Sequence, residues 1–172
     1  MRKAQIASQI FIYIIAVVVV GLIIAYGYSA IKSFSEKGEQ VEYITLKSNI
    51  ENAVKSLTSD YGSVKRPDIG ISGKYDAVCF VNKDRGREKA NTSALCQEFD
   101  DQKEYFQPVA CEGWKLERDN VFLIPDGSES FYAGEMVIAK NEDFLCIDVI
   151  NNRINLQLKG LGDKVEVSNY TR

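Results

Sequence analysis

The sequence predicts an α+β protein, in which a long N-terminal helix, first transmembrane and then amphipathic, packs on an antiparallel β-sheet head domain. Three patterns lead to this prediction. The first is an uncharged apolar run near the N-terminus, and the second is a helical repeat of apolar residues that follows it. The third is the alternation of apolar and polar residues, typical of strands, in the remainder of the 172-residue chain.

The apolar run lies between Lys3 and Lys32, which enclose no charged residue. A bilayer core about 30 Å thick needs roughly 20 apolar helical residues, so the uncharged segment 4–31 is long enough to span a membrane. A buried core helix is usually shorter and has a polar face. The apolar part of a cleaved secretory signal reaches only about 7–15 residues. We therefore expect a retained, single-pass transmembrane helix.

The charges that flank this helix predict its orientation. Arg2 and Lys3 precede the helix with no acid beside them, whereas residues 32–39 on the far side mix two lysines with two glutamates. Positive residues favour the cytoplasmic side of a membrane. The N-terminus is therefore expected in the cytoplasm, and the chain beyond residue 31 outside it.

All four cysteines lie beyond the helix, and they are Cys79, Cys96, Cys111 and Cys146. An even number in a small extracytoplasmic domain predicts two disulfides. A zinc site is disfavoured because the chain has no CxxC pair and no histidine; free buried thiols remain the alternative. Three pairings are open, and the similar strand-like runs at 77–81 and 144–147 favour Cys79–Cys146 together with Cys96–Cys111.

A second helix is predicted beyond the apolar run, because apolar residues recur there in steps of three and four. These residues are Tyr43, Leu46, Ile50, Ala53, Val54, Leu57 and Tyr61. Gly62 follows as a predicted C-cap. The expected organisation is a leader and transmembrane helix at 1–31, an amphipathic helix at 32–62 that continues into the head, and a β-rich head at 63–172.

The head is predicted to hold one antiparallel sheet of five or six strands. The predicted strands are 75–81, 121–124, 131–139, 144–150, 153–158 and, at an edge, 164–167. The runs 144–150 and 153–158 form the clearest pair, because Asn151-Asn152 between them suits a two-residue turn with positive φ. The polar segment 82–114 is expected to be a long loop, with a helical turn near 94–99, pinned by Cys96 and Cys111.

The residues before the apolar helix, Arg2-Lys3-Ala4-Gln5-Ile6-Ala7-Ser8-Gln9, resemble the class III signal peptide of archaeal type IV pilins and pilin-like proteins. That family has a short basic leader and then a small residue, and a prepilin peptidase cuts before a glutamine. The resemblance implies that Lys3 and Ala4 end the leader, that Gln5 begins the mature protein, and that the helix is kept. It covers residues 1–35 and the plan of a long helix followed by a β-rich head.

Gln9 departs from the family pattern. The family usually carries glutamate at this fifth mature position, where it neutralises a neighbour's terminal amine in the filament. Gln9 is neutral and can donate or accept a hydrogen bond, but it cannot form that ion pair. A pilin-like protein that is not a major filament subunit is therefore included in the expectation, and an uncleaved signal anchor is the alternative.

Other candidate sites lie in the predicted loops. Asn91 and Asn169 begin N-x-S/T sequons and are candidates for glycosylation. Four acids lie close together, namely Glu98, Asp100, Asp101 and Glu104. Their spacing does not match a calcium-binding loop, so a solvated acidic loop is expected there. No metal ion and no cofactor is predicted.

The sequence contains little evidence for a catalytic site. Without histidine, a Ser/His or Cys/His nucleophile pair is excluded, and no phosphate-binding glycine loop or small-molecule substrate site is evident. A net charge of −3 and the lack of a basic stripe with aromatic residues argue against nucleic-acid binding. No enzymatic activity is therefore expected.

The expected function is that of a membrane-anchored, extracytoplasmic structural or interaction protein. It would be a pilin-like subunit or an accessory component of an archaeal type IV pilus-type system. Its expected partners are membrane lipid and other pilin-like subunits, which would pack on the apolar helix. The alternative is a non-polymerising, membrane-anchored ectodomain that binds a ligand or partner at the cell envelope.

Overall fold

The computed structural model describes residues 3–90, 92–97, 106–125 and 129–170, and of residues 3–10, 35 and 36 the backbone alone. The chain divides into two compact units, Met1–Val41 and Glu42–Arg172. The first unit is helical where it is described, and the second combines helix with a mostly antiparallel β structure. The fold class is thus α+β, as the sequence predicts.

Helix α1 spans Lys3–Thr58, and its residues 42–58 belong to the second unit. There the predicted apolar face is buried, since Leu46, Ile50, Val54 and Leu57 lie in the core of this unit. Tyr43 and Ala53 are half-buried and pack against that core. The helix therefore lays one face on the sheets of the head, as its sequence period requires.

The end of α1 differs from the prediction. The helix stops at Thr58, and Tyr61 is 81% exposed instead of continuing the apolar face. Gly62 has a φ of +83° and donates its backbone N–H to the carbonyl of Gly160 at 2.9 Å. The helix thus ends before Tyr61, because the chain turns there and Gly62 hydrogen-bonds to Gly160, which is distant in the sequence.

Within the described residues, ten strands form three sheets. The strands are β1 (Val64–Lys65), β2 (Ile69–Gly70), β3 (Ala77–Val81), β4 (Val121–Ile124), β5 (Ser130–Phe131), β6 (Met136–Ile138), β7 (Phe144–Asp148), β8 (Arg153–Ile154), β9 (Leu156–Gly160) and β10 (Val165–Asn169). The sheet orders are β1-β9-β10-β6, β2-β8 and β5-β4-β3-β7. All strand pairings are antiparallel except β10 with β6, which is parallel.

Three predictions about the sheet are therefore wrong. The strands do not form a single sheet, and the predicted edge strand 164–167 is β10, which lies between β9 and β6. The predicted strand 131–139 is divided into β5 and β6. Gly134 separates these two strands with a φ of +118°, and a Cβ there would lie 2.9 Å from Cγ1 of Val54. The break thus lets the helix approach the backbone closely.

The predicted hairpin at Asn151-Asn152 is confirmed as a turn but not as a strand pair. Both asparagines have positive φ, +52° and +59°, and the bridge between Ile150 and Arg153 closes the turn. Beyond it the strands separate, because β7 pairs with β3 whereas β8 pairs with β2. The alternation of side chains predicted strands in both runs, but the predicted strand 153–158 is divided into β8 and β9, and the alternation could not assign the partners.

Strands β3 and β4 are buried on both faces and divide the second unit into two cores. One face contributes Val78, Phe80, Val121 and Leu123 to the core that includes α1. The other contributes Cys79, Val81, Phe122 and Ile124 to a second core, which is covered by the segment between β3 and β4. The predicted long loop 82–114 is thus folded in its described parts, with α2 (Gly86–Lys89) and α3 (Pro108–Lys115).

Replacing Ile50 by alanine tests the packing of α1 on the head. Ile50 is 0% exposed whereas Ile44, on the same helix, is 62% exposed. We expect Ile50→Ala to lower the free energy of unfolding by about 2–5 kcal/mol. The matched change Ile44→Ala should alter it by less than about 0.5 kcal/mol. Denaturant titration of the full chain in detergent micelles, followed by Trp114 fluorescence, measures both; equal losses would contradict this packing.

Candidate functional site

The first candidate site is the apolar part of α1 within the first unit. From Phe11 to Phe34 every side chain is exposed. Among the described residues, one helix is long and apolar enough to cross a membrane. Exposed aliphatic surface of this extent is costly in water and suits a lipid or protein environment. This stretch is therefore a candidate contact surface for lipid tails or for other apolar helices.

The leader residues lie at the beginning of this helix. Lys3, Ala4, Gln5 and Gln9 all fall within the helical backbone of α1. Their side chains are outside the described part of the structure. Cleavage after Ala4 and the role of Gln9 therefore stay predictions from the sequence.

The four cysteines form the two predicted pairs. Cys79 of β3 is bonded to Cys146 of β7 with a Cα–Cα distance of 4.0 Å, and Cys96 is bonded to Cys111 of α3. Cys79 and Cys146 are directly opposite in the β3–β7 ladder. The flanking hydrogen bonds, Asn82 N–H to Asp143 O and Val149 N–H to Asp76 O, make this a non-hydrogen-bonded pair, in which the side chains lie closest.

Both disulfides adjoin the second core. Cys79 and Cys111 are buried in it, and Cys96 and Cys146 pack against it. At its centre Trp114 is fully buried and donates its indole N–H to the carbonyl of Asn82 at 2.8 Å. Cys96–Cys111 thus links two parts of the segment between β3 and β4. Cys79–Cys146 links β3 to β7 in the sheet that this segment covers.

The second candidate site is a cavity of about 640 Å³ beside the outer edge of β7. Its walls are residues 142–146, the turn at Ser93 and Ala94, and Asn169 at the end of β10. The backbone of an edge strand, a buried serine and an exposed asparagine amide supply its hydrogen-bonding groups. A cavity of this size with few polar groups is typical of a binding site.

The charged residues described at this cavity are acidic. Glu142 and Asp143 line it, and among the described residues no lysine or arginine does. Arg85 balances Asp143, since its Nη1 lies 2.9 Å from Asp143 Oδ1 while its Nη2 donates to Asn141 Oδ1 at 2.7 Å. Glu142 is exposed, and within the described residues no cation pairs with it. One uncompensated carboxylate therefore lies at the cavity.

Two tyrosines outside the cavity have perturbed ionisation. Burial, helped by Glu129, Asp119 and Glu51, raises the pKa of Tyr43 above its ordinary value. Burial and the hydrogen bond that its hydroxyl donates to Glu135 raise the pKa of Tyr132 to about 12. Both phenols thus stay neutral at physiological pH and act as hydrogen-bond donors, not as bases.

The remaining predicted sites are only partly described. Asn169 is exposed at the end of β10, which suits a glycan, whereas Asn91 lies outside the described residues. The acidic residues Glu98, Asp100, Asp101 and Glu104 also lie outside them. In the part of the chain that the structure describes, no group of three potential metal ligands comes together.

The cavity beside β7 was not predicted from the sequence. The prediction paired 144–150 with 153–158 but gave no order for the strands, so it did not place this strand at the edge of a sheet. The favoured disulfide Cys79–Cys146 carried the missing signal, because two cysteines in strand-like runs are bonded most readily when their strands are neighbours. The turn at Ser93 gave no signal, since its place beside β7 results from the folding of a distant segment.

Comparisons with protein-family models, with curated proteins and with solved structures gave no match for the chain.

Removing each disulfide tests its contribution to the head. The bonded cysteines are 67 residues apart for Cys79–Cys146 and 15 apart for Cys96–Cys111. From loop-closure entropy we expect losses of about 4 and about 3 kcal/mol of unfolding free energy, respectively, when both cysteines of a pair become alanine. Denaturant titration with Trp114 fluorescence measures both losses. No loss from either double variant would show that the bonds do not constrain the unfolded chain.

Proposed function

We propose that the protein is a membrane-anchored structural or interaction protein with an extracytoplasmic head, of the pilin-like type. The observation that carries the proposal is a basic leader and Gln5 at the start of α1, whose side chains from Phe11 to Phe34 are all exposed. In this function the helix provides the anchor and the assembly surface. The head makes protein or surface contacts, and no chemical reaction is assigned to it.

The charges and the cysteines support the orientation. The basic residues before the helix favour a cytoplasmic N-terminus. Disulfides persist in oxidising surroundings outside the cytoplasm, and the structure holds two of them in the second unit. Both arguments favour a head outside the cytoplasm, and they are independent because one rests on the flanks and the other on the head.

The helix offers a surface for a second copy of the chain. Phe34 and Val41 are 75% and 62% exposed, and their spacing of seven residues places them on one face of α1. The apolar face thus extends past the predicted membrane segment, where lipid would not cover it. A neighbouring apolar helix of the same kind would bury it, which supports an assembly role for α1.

Gln9 favours an accessory component over a major filament subunit. A glutamate at this position would neutralise the terminal amine of a neighbour, and glutamine offers only a hydrogen bond. The second candidate function, a non-polymerising ectodomain anchored by an uncleaved helix, is favoured by the acidic cavity beside β7. The pilin-like function requires a cleaved N-terminus, whereas the simple anchored ectodomain requires an intact one.

Mass spectrometry of the N-terminus of the membrane-extracted protein tests the leader. We expect the mature chain to begin at Gln5, with Met1 to Ala4 removed. Ala4→Leu should block this cleavage, because the family requires a small residue before the cut, and it leaves the flanking charges unchanged. Ala7→Leu, three residues further on, is the matched control and should be cleaved normally. An intact Met1 in the unmodified protein would refute pilin-like processing.

A further inference from the structure

Strand β7 is the outer strand of its sheet, with β3 on one side. In the ladder with β3, the carbonyl of Asp143 and the N–H of Val149 point toward β3. Alternate residues of a strand direct their backbone groups to opposite sides. The backbone N–H and C=O groups of Cys146 and Asp148 therefore point away from β3, and within the described residues they have no hydrogen-bond partner.

An edge that is open at Cys146 and Asp148 is a template for another strand. Natural proteins usually cover or interrupt exposed edges, because unpaired backbone groups attract other chains. The chain leaves the cavity of about 640 Å³ beside this edge, between residues 142–146 and the turn at Ser93 and Ala94. The cavity thus gives room for the side chains of a segment that pairs with β7.

The charges near this edge favour one kind of incoming segment. Glu142, two residues before β7, and Asp148 at the end of β7 are both exposed, and no described cation pairs with either. Asp143 is already balanced by Arg85. These two carboxylates, which flank the edge and have no described counter-ion, favour an incoming segment that carries lysine or arginine.

We propose that the outer edge of β7 and the cavity beside it bind an extended, basic peptide segment of a partner protein, which adds to the sheet as a further strand. The backbone groups of Cys146 and Asp148 hydrogen-bond to the main chain of the partner. Glu142 and Asp148 pair with its basic side chains. The proposal does not depend on leader cleavage, so it stands for a pilin-like protein and for a simple anchored ectodomain.

The experiment uses the full chain in detergent micelles and the acetylated, amidated peptide KTVTVTK. Backbone amide exchange, resolved by NMR, reports the amides of Cys146 and Asp148. We expect both amides to exchange fast in the free protein and to be protected when the peptide is added. The peptide KTPTPTK, which lacks alternate N–H donors, should protect neither, and ETVTVTE should bind at least about fivefold more weakly.

Single substitutions separate the contribution of the backbone hydrogen bond to binding from the contribution of the charges. Asp148→Pro removes an N–H that no bond to β3 uses, so the head should still fold, with both disulfides formed. It should weaken KTVTVTK binding by about tenfold. Asp148→Ala keeps the N–H and should weaken binding by only about two- to fivefold, as should Glu142→Gln.

Several results would overturn the proposal. The amides of Cys146 and Asp148 would be protected without peptide at every protein concentration if the chain itself covered the edge. Protection that appeared only at high protein concentration would identify a second copy of the chain as the occupant. Equal binding of KTVTVTK and KTPTPTK, or binding that left these two amides unprotected, would exclude strand addition.

Discussion

The burial of β3 and β4 on both faces is the constraint on which the rest of the second unit depends. A sheet with both faces apolar needs two separate covers. Residues 42–58 of α1 and the other sheets cover one face. The segment between β3 and β4 has to cover the other, because it is the chain that leaves and re-enters the sheet there. The two helices of that segment and its disulfide Cys96–Cys111 follow from this requirement.

The same arrangement explains why β7 stays at the edge. β3 is flanked by β4 on one side and by β7 on the other, and the disulfide Cys79–Cys146 joins β7 to its partner. The segment that follows, with positive φ at Asn151 and Asn152, directs the chain to β2 and then to the sheet of β9 and β10. No strand returns to the outer side of β7 within the described residues, so β7 ends its sheet beside the cavity.

The sequence predicted what depends on local patterns. The period of Leu46, Ile50, Val54 and Leu57 identified the buried face of α1, and the alternation in β7 and β9 identified these strands. It did not predict which strands pair, because pairing depends on contacts between distant residues. Tyr61 matched the helical period yet is exposed, since Gly62 is bonded to Gly160, almost one hundred residues away. The cavity beside β7 was missed for the same reason.

The proposed function requires that α1 anchors the protein and that the second unit lies outside the cytoplasm. Ser59 is exposed beyond the end of α1, and the four native cysteines are all paired. Ser59→Cys therefore adds a free thiol to the head with little change in size. A membrane-impermeant maleimide should label this variant equally well on intact cells and after lysis, and should not label the unmodified protein. Labelling of Ser59→Cys only after lysis would contradict the account.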